Sequence, residues 1–162
     1  MKRLVVTVVA AALLVAMSAS GVVAKTTKVQ VAGTATIIQP IGIGSDTWVG
    51  SVESMRGLVL LEYGNWNNTY LTGPQVGIVN FDLDHATGRG EMWGSDHHDV
   101  TAVQGGGWDC TFQATIVDFL ATGKGVCHGT GTLHTWQWRA DMHMIWGSPV
   151  TQFTGYFFKP GN

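Results

Sequence analysis

Charged residues are scarce in this chain, and neither sign of charge is concentrated along it. Lys and Arg number 9 against 11 Asp and Glu, so charged residues make up only 12% of the 162 residues. No basic cluster of the kind that binds phosphate backbones is present, so we expect no nucleic-acid partner. Helical patterns are also lacking, because after residue 24 no segment of helical length repeats apolar residues at i, i+3, i+4 and i+7. These absences argue against a helical fold.

The first 24 residues have the three parts of a secretory signal peptide. Met1–Arg3 is basic, Leu4 to Ala16 is apolar, and small residues lead up to Ala24. The apolar run is too short to span a bilayer, which takes about 20 residues. We predict cleavage near Ala24, a single domain over residues 25–162, no membrane anchor in the mature chain, and a secreted or periplasmic location.

Only two cysteines occur, Cys110 and Cys127. In an exported chain such a pair predicts a disulfide, which is worth roughly 3 kcal/mol for so short a loop. A zinc site with His128 would need a second clustered half-site that the sequence lacks, so we predict no metal there. One difficulty is that a tight turn at residues 122–124 would leave the two cysteines out of register.

Glycine is abundant, with 22 residues, and it separates short alternating runs rich in β-branched and aromatic residues. Such runs predict strands joined by turns. We therefore predict an all-β, single-domain antiparallel β-barrel of about eight strands. The predicted strands are Lys28–Ile38, Asp46–Ser54, Met55–Tyr63, Val76–Leu83, Glu91–Gly94, Trp108–Leu120, Val126–Met144 and Gln152–Phe158, with a bend near Arg56–Gly57.

Alternation along the longest strands selects candidate functional residues. Even positions look inward, which places Trp108, Phe112, Ile116 and Asp118 on one inner face and His134, Trp136 and Trp138 on the next. We predict Glu53, Asp118 and His134 as candidate catalytic acid–base groups, and His134, Trp136 and Trp138 as ligand-binding residues. The structural alternatives are a turn-capping role for Asp118, a backbone partner for His134, and packing for the tryptophans. Trp66, in a loop with asparagines, is expected to be exposed.

Two adjacent histidines, His97 and His98, are flanked by Asp96 and Asp99. Imidazole and carboxylate groups are metal ligands, but neighbours on an extended strand point apart. We therefore favour a solvated loop, and we predict neither a metal nor another cofactor.

Four glycine- and aromatic-rich motifs carry a resemblance to a known family. They are GRGEMWG at residues 88–94, GGGWDCTF at 105–112, GKGVCHGTGTL at 123–133 and FTGYFFKPG at 153–161. In this order they resemble secreted bacterial proteins assigned to the allene oxide cyclase/dirigent-like β-barrel group, over roughly the last half of the chain. The resemblance implies a barrel. Plant members of that class include a cyclase and proteins that steer phenoxy-radical coupling, and none of their catalytic residues is carried over here.

Three functions are compatible with these features. Our leading prediction is non-catalytic binding of a small apolar or aromatic ligand in the barrel, since small barrels often hold one such ligand. The alternatives are a cyclase- or isomerase-like enzyme that acts in the barrel cavity, and a small outer-membrane β-barrel. The sequence leaves the oligomeric state open.

Overall fold

The computed structural model describes residues 26–160, so the predicted signal peptide lies outside the described residues. Within them, nine strands form a single antiparallel sheet and one 3₁₀ turn connects two of the strands, which confirms the all-β prediction. No helix among residues 26–160 is long and apolar enough to cross a bilayer. The elements are β1 (Thr27–Gly42), β2 (Ser45–Val49), β3 (Val52–Trp66), the 3₁₀ turn (Thr69–Leu71), β4 (Gly73–Asp84), β5 (Arg89–Asp99), β6 (Gly106–Val117), β7 (Leu120–Gly131), β8 (Gln137–Ile145) and β9 (Val150–Lys159).

The sheet closes into an eight-stranded barrel because β1 pairs with both β9 and β3. On this closing edge β3 has two partners. Its second half pairs with β1, from Val59 to Trp66, while its first residues pair with the extra strand β2. The chain passes from β1 to β2 at Gly44, where a Cβ would collide with the carbonyl of Arg56. The predicted bend near Arg56–Gly57 is a bulge within β3, and Gly57 has a φ of 69° there. The hairpin turn between β2 and β3 lies earlier, at residues 50–51.

The two ends of the barrel differ. The turn end carries the connections at residues 50–51, 85–88, 118–119 and 146–149. The terminal end carries the connections at residues 67–72, 100–105 and 132–136. The first residue of β1 and the last residue of β9 lie at the same end. Backbone hydrogen bonds join neighbouring turns at the turn end: His85 N donates to Ser51 O at 2.9 Å, Phe119 N to Gly88 O at 2.9 Å, and Trp146 N to Phe119 O at 2.8 Å.

The β6–β7 hairpin resolves the register of the cysteines. Its two-residue turn is Asp118–Phe119, and both residues have positive φ, 51° and 60°, as a type I′ hairpin turn requires. Cys110 and Cys127 are therefore direct partners across the two strands, and the predicted disulfide is confirmed. The turn predicted at residues 122–124 is wrong. Gly123 lies inside β7, where a Cβ would collide with the backbone of β6. The glycine therefore allows the two strands to approach closely and does not form a turn.

Inward side chains form two apolar clusters separated along the barrel axis. The aromatic cluster, near the terminal end, contains Trp66, Leu71, Trp108, Leu133, Trp138 and Phe157. The second cluster, near the turn end, contains Phe81, Leu83, Met92, Ile116 and Met142. The predicted inward face of β6 is confirmed for Trp108 and Ile116, which are buried, and is wrong for Asp118, which lies exposed in the turn after β6. The expectation that Trp66 is exposed is wrong: it ends β3 on the inner face, 7% exposed, and its ring meets that of Trp138 at 4.6 Å in an edge-on contact.

Candidate functional site

A cavity of about 430 Å³ lies inside the barrel and reaches the β8–β9 turn at residues 147–149. Its walls are mainly apolar and include Leu58, Leu60, Phe81, Phe112, Met142 and Phe153. Glycines help to keep it open. Gly125 faces the cavity from β7, and a Cβ there would meet no atom closer than 3.7 Å. The volume is within the range of small-molecule sites.

Two carboxyl groups interrupt the apolar wall. Glu62 on β3 and Asp96 on β5 both line the cavity and flank Gly77 on β4, which pairs with Asp96 across β4–β5. A Cβ on Gly77 would lie 3.4 Å from Glu62 Oε2 and 3.9 Å from Asp96 Cβ. The missing side chain therefore leaves a slot beside the Glu62 carboxylate and the Asp96 side chain, which we call the carboxyl slot.

Burial dominates the electrostatics of the carboxyl slot. It raises the pKa of Glu62 to about 7, with the charge of Asp96 as the second cause. It also raises the pKa of Asp96 to about 7, which the charge of His97 opposes and that of Asp109 increases. Asp96 Oδ1 is buried and has no hydrogen-bond partner among residues 26–160. Near neutral pH the pair can therefore gain or lose a proton, as acid–base groups and ion-binding groups do.

A neutral histidine, His98, lies at the next inward position of β5 after Asp96, closer to the terminal end. His98 is 0% exposed, and its Nδ1 lies 3.3 Å from Nε2 of Gln75, its partner on β4. Burial lowers the pKa of His98 to about 4, so the imidazole is uncharged at neutral pH. Gln75 itself lines the cavity. The pair forms a polar extension of the carboxyl slot.

The predicted loop over residues 95–99 is instead the end of β5. Alternation puts Asp96 and His98 inside, while His97 and Asp99 point outward. The outer histidine joins two carboxylates: its Nδ1 lies 2.7 Å from Asp109 and its Nε2 lies 3.5 Å from Asp99. No group of three or more metal-ligating side chains is assembled within the described part of the chain.

The three predicted acid–base residues are not brought together. Glu53 and Asp118 lie at the turn end, where the Glu53 carboxylate is 2.7 Å from His85 Nε2 and Asp118 is exposed in its turn. His134 lies at the terminal end, exposed, with Nδ1 3.2 Å from the carbonyl oxygen of Gly131. The twelve residues of β7 separate His134 from Asp118, roughly 40 Å along the strand.

The prediction that His134 and Trp136 lie on an inner face failed because residues 126–144 form two strands rather than one. The connection at residues 132–136 resets the alternation, so β7 turns its odd positions inward and β8 its even positions. Of the predicted ligand-binding residues, Trp138 is buried and lines the cavity. Trp136 instead stacks on Phe157 at 5.2 Å, against the aromatic cluster.

Sequence reasoning missed Glu62 and did not place Asp96 inside the barrel. A signal for Glu62 was present, since Leu58, Leu60 and Glu62 alternate in one predicted strand, with an acid on the apolar face. The inward position of Asp96 was not predicted, because the polar residues around it predicted a loop rather than a strand.

Comparisons with family models, curated proteins and solved structures give no match for this chain. The resemblance to the allene oxide cyclase/dirigent-like group therefore stays a prediction. The function is inferred from the cavity itself.

Proposed function

We propose that this protein binds one small, mostly apolar ligand inside its barrel. The observation that carries the proposal is the cavity of about 430 Å³ between the two apolar clusters, lined mainly by aliphatic, aromatic and methionine side chains. Transfer of a ligand's apolar surface from water to such a wall is worth about 25 cal/mol for each Å² buried. The eight paired strands of the closed barrel supply these walls on all sides.

The distribution of polar side chains favours a ligand-binding barrel over a membrane-spanning one. Membrane barrels present an apolar band outward and a polar interior. Here the exposed outer face of β6, β7 and β8 carries Gln113, Lys124 and Asp141 directly opposite one another, and the interior is mainly apolar.

Filling the cavity should weaken binding while the barrel stays folded. In Gly125→Leu the new Cβ would be in ordinary van der Waals contact, 3.7 Å from the carbonyl oxygen of Thr111, and the side chain would extend into the cavity. Replacing glycine within a strand also favours the extended backbone. We expect the affinity for the uncharged fluorophore N-phenyl-1-naphthylamine to fall at least about tenfold. The measurement is a fluorescence titration, combined with thermal unfolding of the same samples.

The matched control is Val126→Leu, which adds apolar bulk at the next position of β7, on the outer face. This variant should bind the fluorophore as the unmodified chain does. Binding that is unaffected by Gly125→Leu, or absent in the unmodified chain, would count against a ligand inside the barrel.

A cyclase- or isomerase-like reaction in the same cavity is the second candidate function. One observation favours it: burial brings the pKa values of Glu62 and Asp96 to about 7, where a carboxyl group can both donate and accept a proton. The catalytic groups would then be these two rather than Glu53, Asp118 and His134. Because such reactions conserve mass, chromatography of the recovered ligand separates the functions: a binding protein returns it unchanged, and an enzyme returns an isomer.

We infer export to an oxidising compartment from two features. The Cys110–Cys127 bridge is compatible with an extracellular or periplasmic location, and residues 1–24 have the composition of a signal peptide. Amino-terminal sequencing of the exported protein should begin near Lys25. Recovery of a chain that still begins at Met1 would contradict cleavage.

A further inference from the structure

We propose that the ligand of the barrel carries an amine, and that its ammonium group occupies the carboxyl slot beside Glu62 and Asp96. This inference rests on the proposed function, because it names the chemical class of the ligand for the same cavity. The ligand is then a small apolar or aromatic amine, with its hydrocarbon body against the apolar wall.

The first support is the charge of the cavity. Glu62 and Asp96 are the ionisable groups that line it, and no Lys, Arg or His among residues 26–160 lines it with them. The neighbouring imidazole of His98 is held neutral by its burial, and His97 is directed outward to Asp109. A carboxylate in an apolar site is stabilised by a nearby cation, and none of the described residues that line this cavity supplies one, so a cationic ligand would.

The second support is a buried acceptor without a donor. Asp96 Oδ1 has no hydrogen-bond partner in the described residues, although its side chain lines the cavity. An ionised carboxylate only accepts hydrogen bonds, and an ammonium group offers three donors. The bond would be charge-assisted, which is the stronger class of hydrogen bond.

The third support is the shape of the carboxyl slot. Any side chain on Gly77 would enter the space beside Glu62 Oε2, so the glycine leaves that space to a ligand group. Aromatic side chains, among them Phe81, Phe112 and Trp146, line the same cavity and can contact both an apolar body and a cation.

The experiment compares three ligands that share one body and differ in their polar group. They are 2-(1-naphthyl)ethylamine, 2-(1-naphthyl)ethanol and 3-(1-naphthyl)propionate, titrated into the protein by calorimetry at pH 7.5. We expect the amine to bind at least about tenfold more tightly than the alcohol, and the carboxylate to bind most weakly.

Two variants locate the ammonium group. Glu62→Gln/Asp96→Asn should lower the affinity for the amine to that for the alcohol and leave the alcohol within about threefold. Gly77→Val keeps both carboxyl groups but fills the slot, so it should also remove the preference for the amine. The matched control is Glu91→Gln/Asp141→Asn, which removes two exposed acids from the outer face, and it should leave the preference intact.

The outcomes separate the two proposals. Equal binding of amine and alcohol, or tightest binding of the carboxylate, would overturn the amine inference while the barrel remains a ligand-binding site. A preference for the amine that survives Glu62→Gln/Asp96→Asn would overturn the assignment to the carboxyl slot. If neither these ligands nor N-phenyl-1-naphthylamine bind, the proposed function fails together with the inference.

Discussion

The double variant Glu62→Gln/Asp96→Asn is expected to be more stable than the unmodified protein, and its advantage should grow as the pH rises. Both carboxyl groups have folded-state pKa values near 7, above the ordinary values of 4.5 and 3.8. Below their ordinary pKa both states are protonated and neither group costs stability. Between that value and about pH 7 the unfolded chain ionises while the folded chain keeps its protons, so the free energy of unfolding falls.

The expected stability difference follows from the width of the pH range between the unfolded-state and folded-state pKa values. Each raised carboxyl costs about 1.4 kcal/mol for each pH unit within it. From pH 5 to pH 8 this range covers roughly two units, so one carboxyl alone should cost about 3 kcal/mol. The two contributions do not add fully, because the charge of Asp96 is one cause of the raised pKa of Glu62.

Urea denaturation of both proteins at pH 5 and pH 8 measures the effect. His98 also titrates differently in the two states, since burial lowers its pKa to about 4, but it is present in both proteins and its contribution largely cancels in the comparison. Glu91→Gln/Asp141→Asn controls for the loss of two negative charges. A stability gain of the same size at both pH values would show that the carboxyl groups are not buried as described.

Truncation of Trp108 to alanine should cost about 3–5 kcal/mol of unfolding free energy, as large core truncations do. Trp108 is 0% exposed, and its Nε1 donates a hydrogen bond of 2.8 Å to the carbonyl oxygen of Tyr70. Its ring also lies edge-on to that of Trp138, with 6.4 Å between the ring centroids. The substitution removes the hydrogen bond and leaves a hole in the aromatic cluster.

Trp48 on β2 offers a control with the same chemical change. It is 53% exposed and stacks on the ring of His85 at 5.0 Å. Trp48→Ala should cost less than about 1 kcal/mol, because a surface truncation opens no cavity. Denaturant unfolding of the two variants measures both losses. Equal losses would contradict the burial of Trp108 in the aromatic cluster.

Part of this fold was predictable because it depends on local pattern. Alternation within one strand identifies its inner face without knowledge of its neighbours, so the buried Trp108 and Ile116 of β6 were found from the sequence. The same rule failed for His134, since alternation carries no information across a loop whose presence is not recognised. The turn predicted at Gly123 was wrong for a related reason, because glycine permits both a turn and close contact between strands.

The sequence by itself determined that this protein is all-β, that its strands are antiparallel, and that its two cysteines pair. Each of these depends on residue type and spacing along the chain. Only the tertiary structure decided that the barrel encloses a cavity and that Glu62 and Asp96 line it from the strands on either side of Gly77. That juxtaposition depends on the register of three strands, β3, β4 and β5. A shift of one residue in any of them would turn its inward side chains to the outer face, which is why the site could not be predicted from the pattern of one strand.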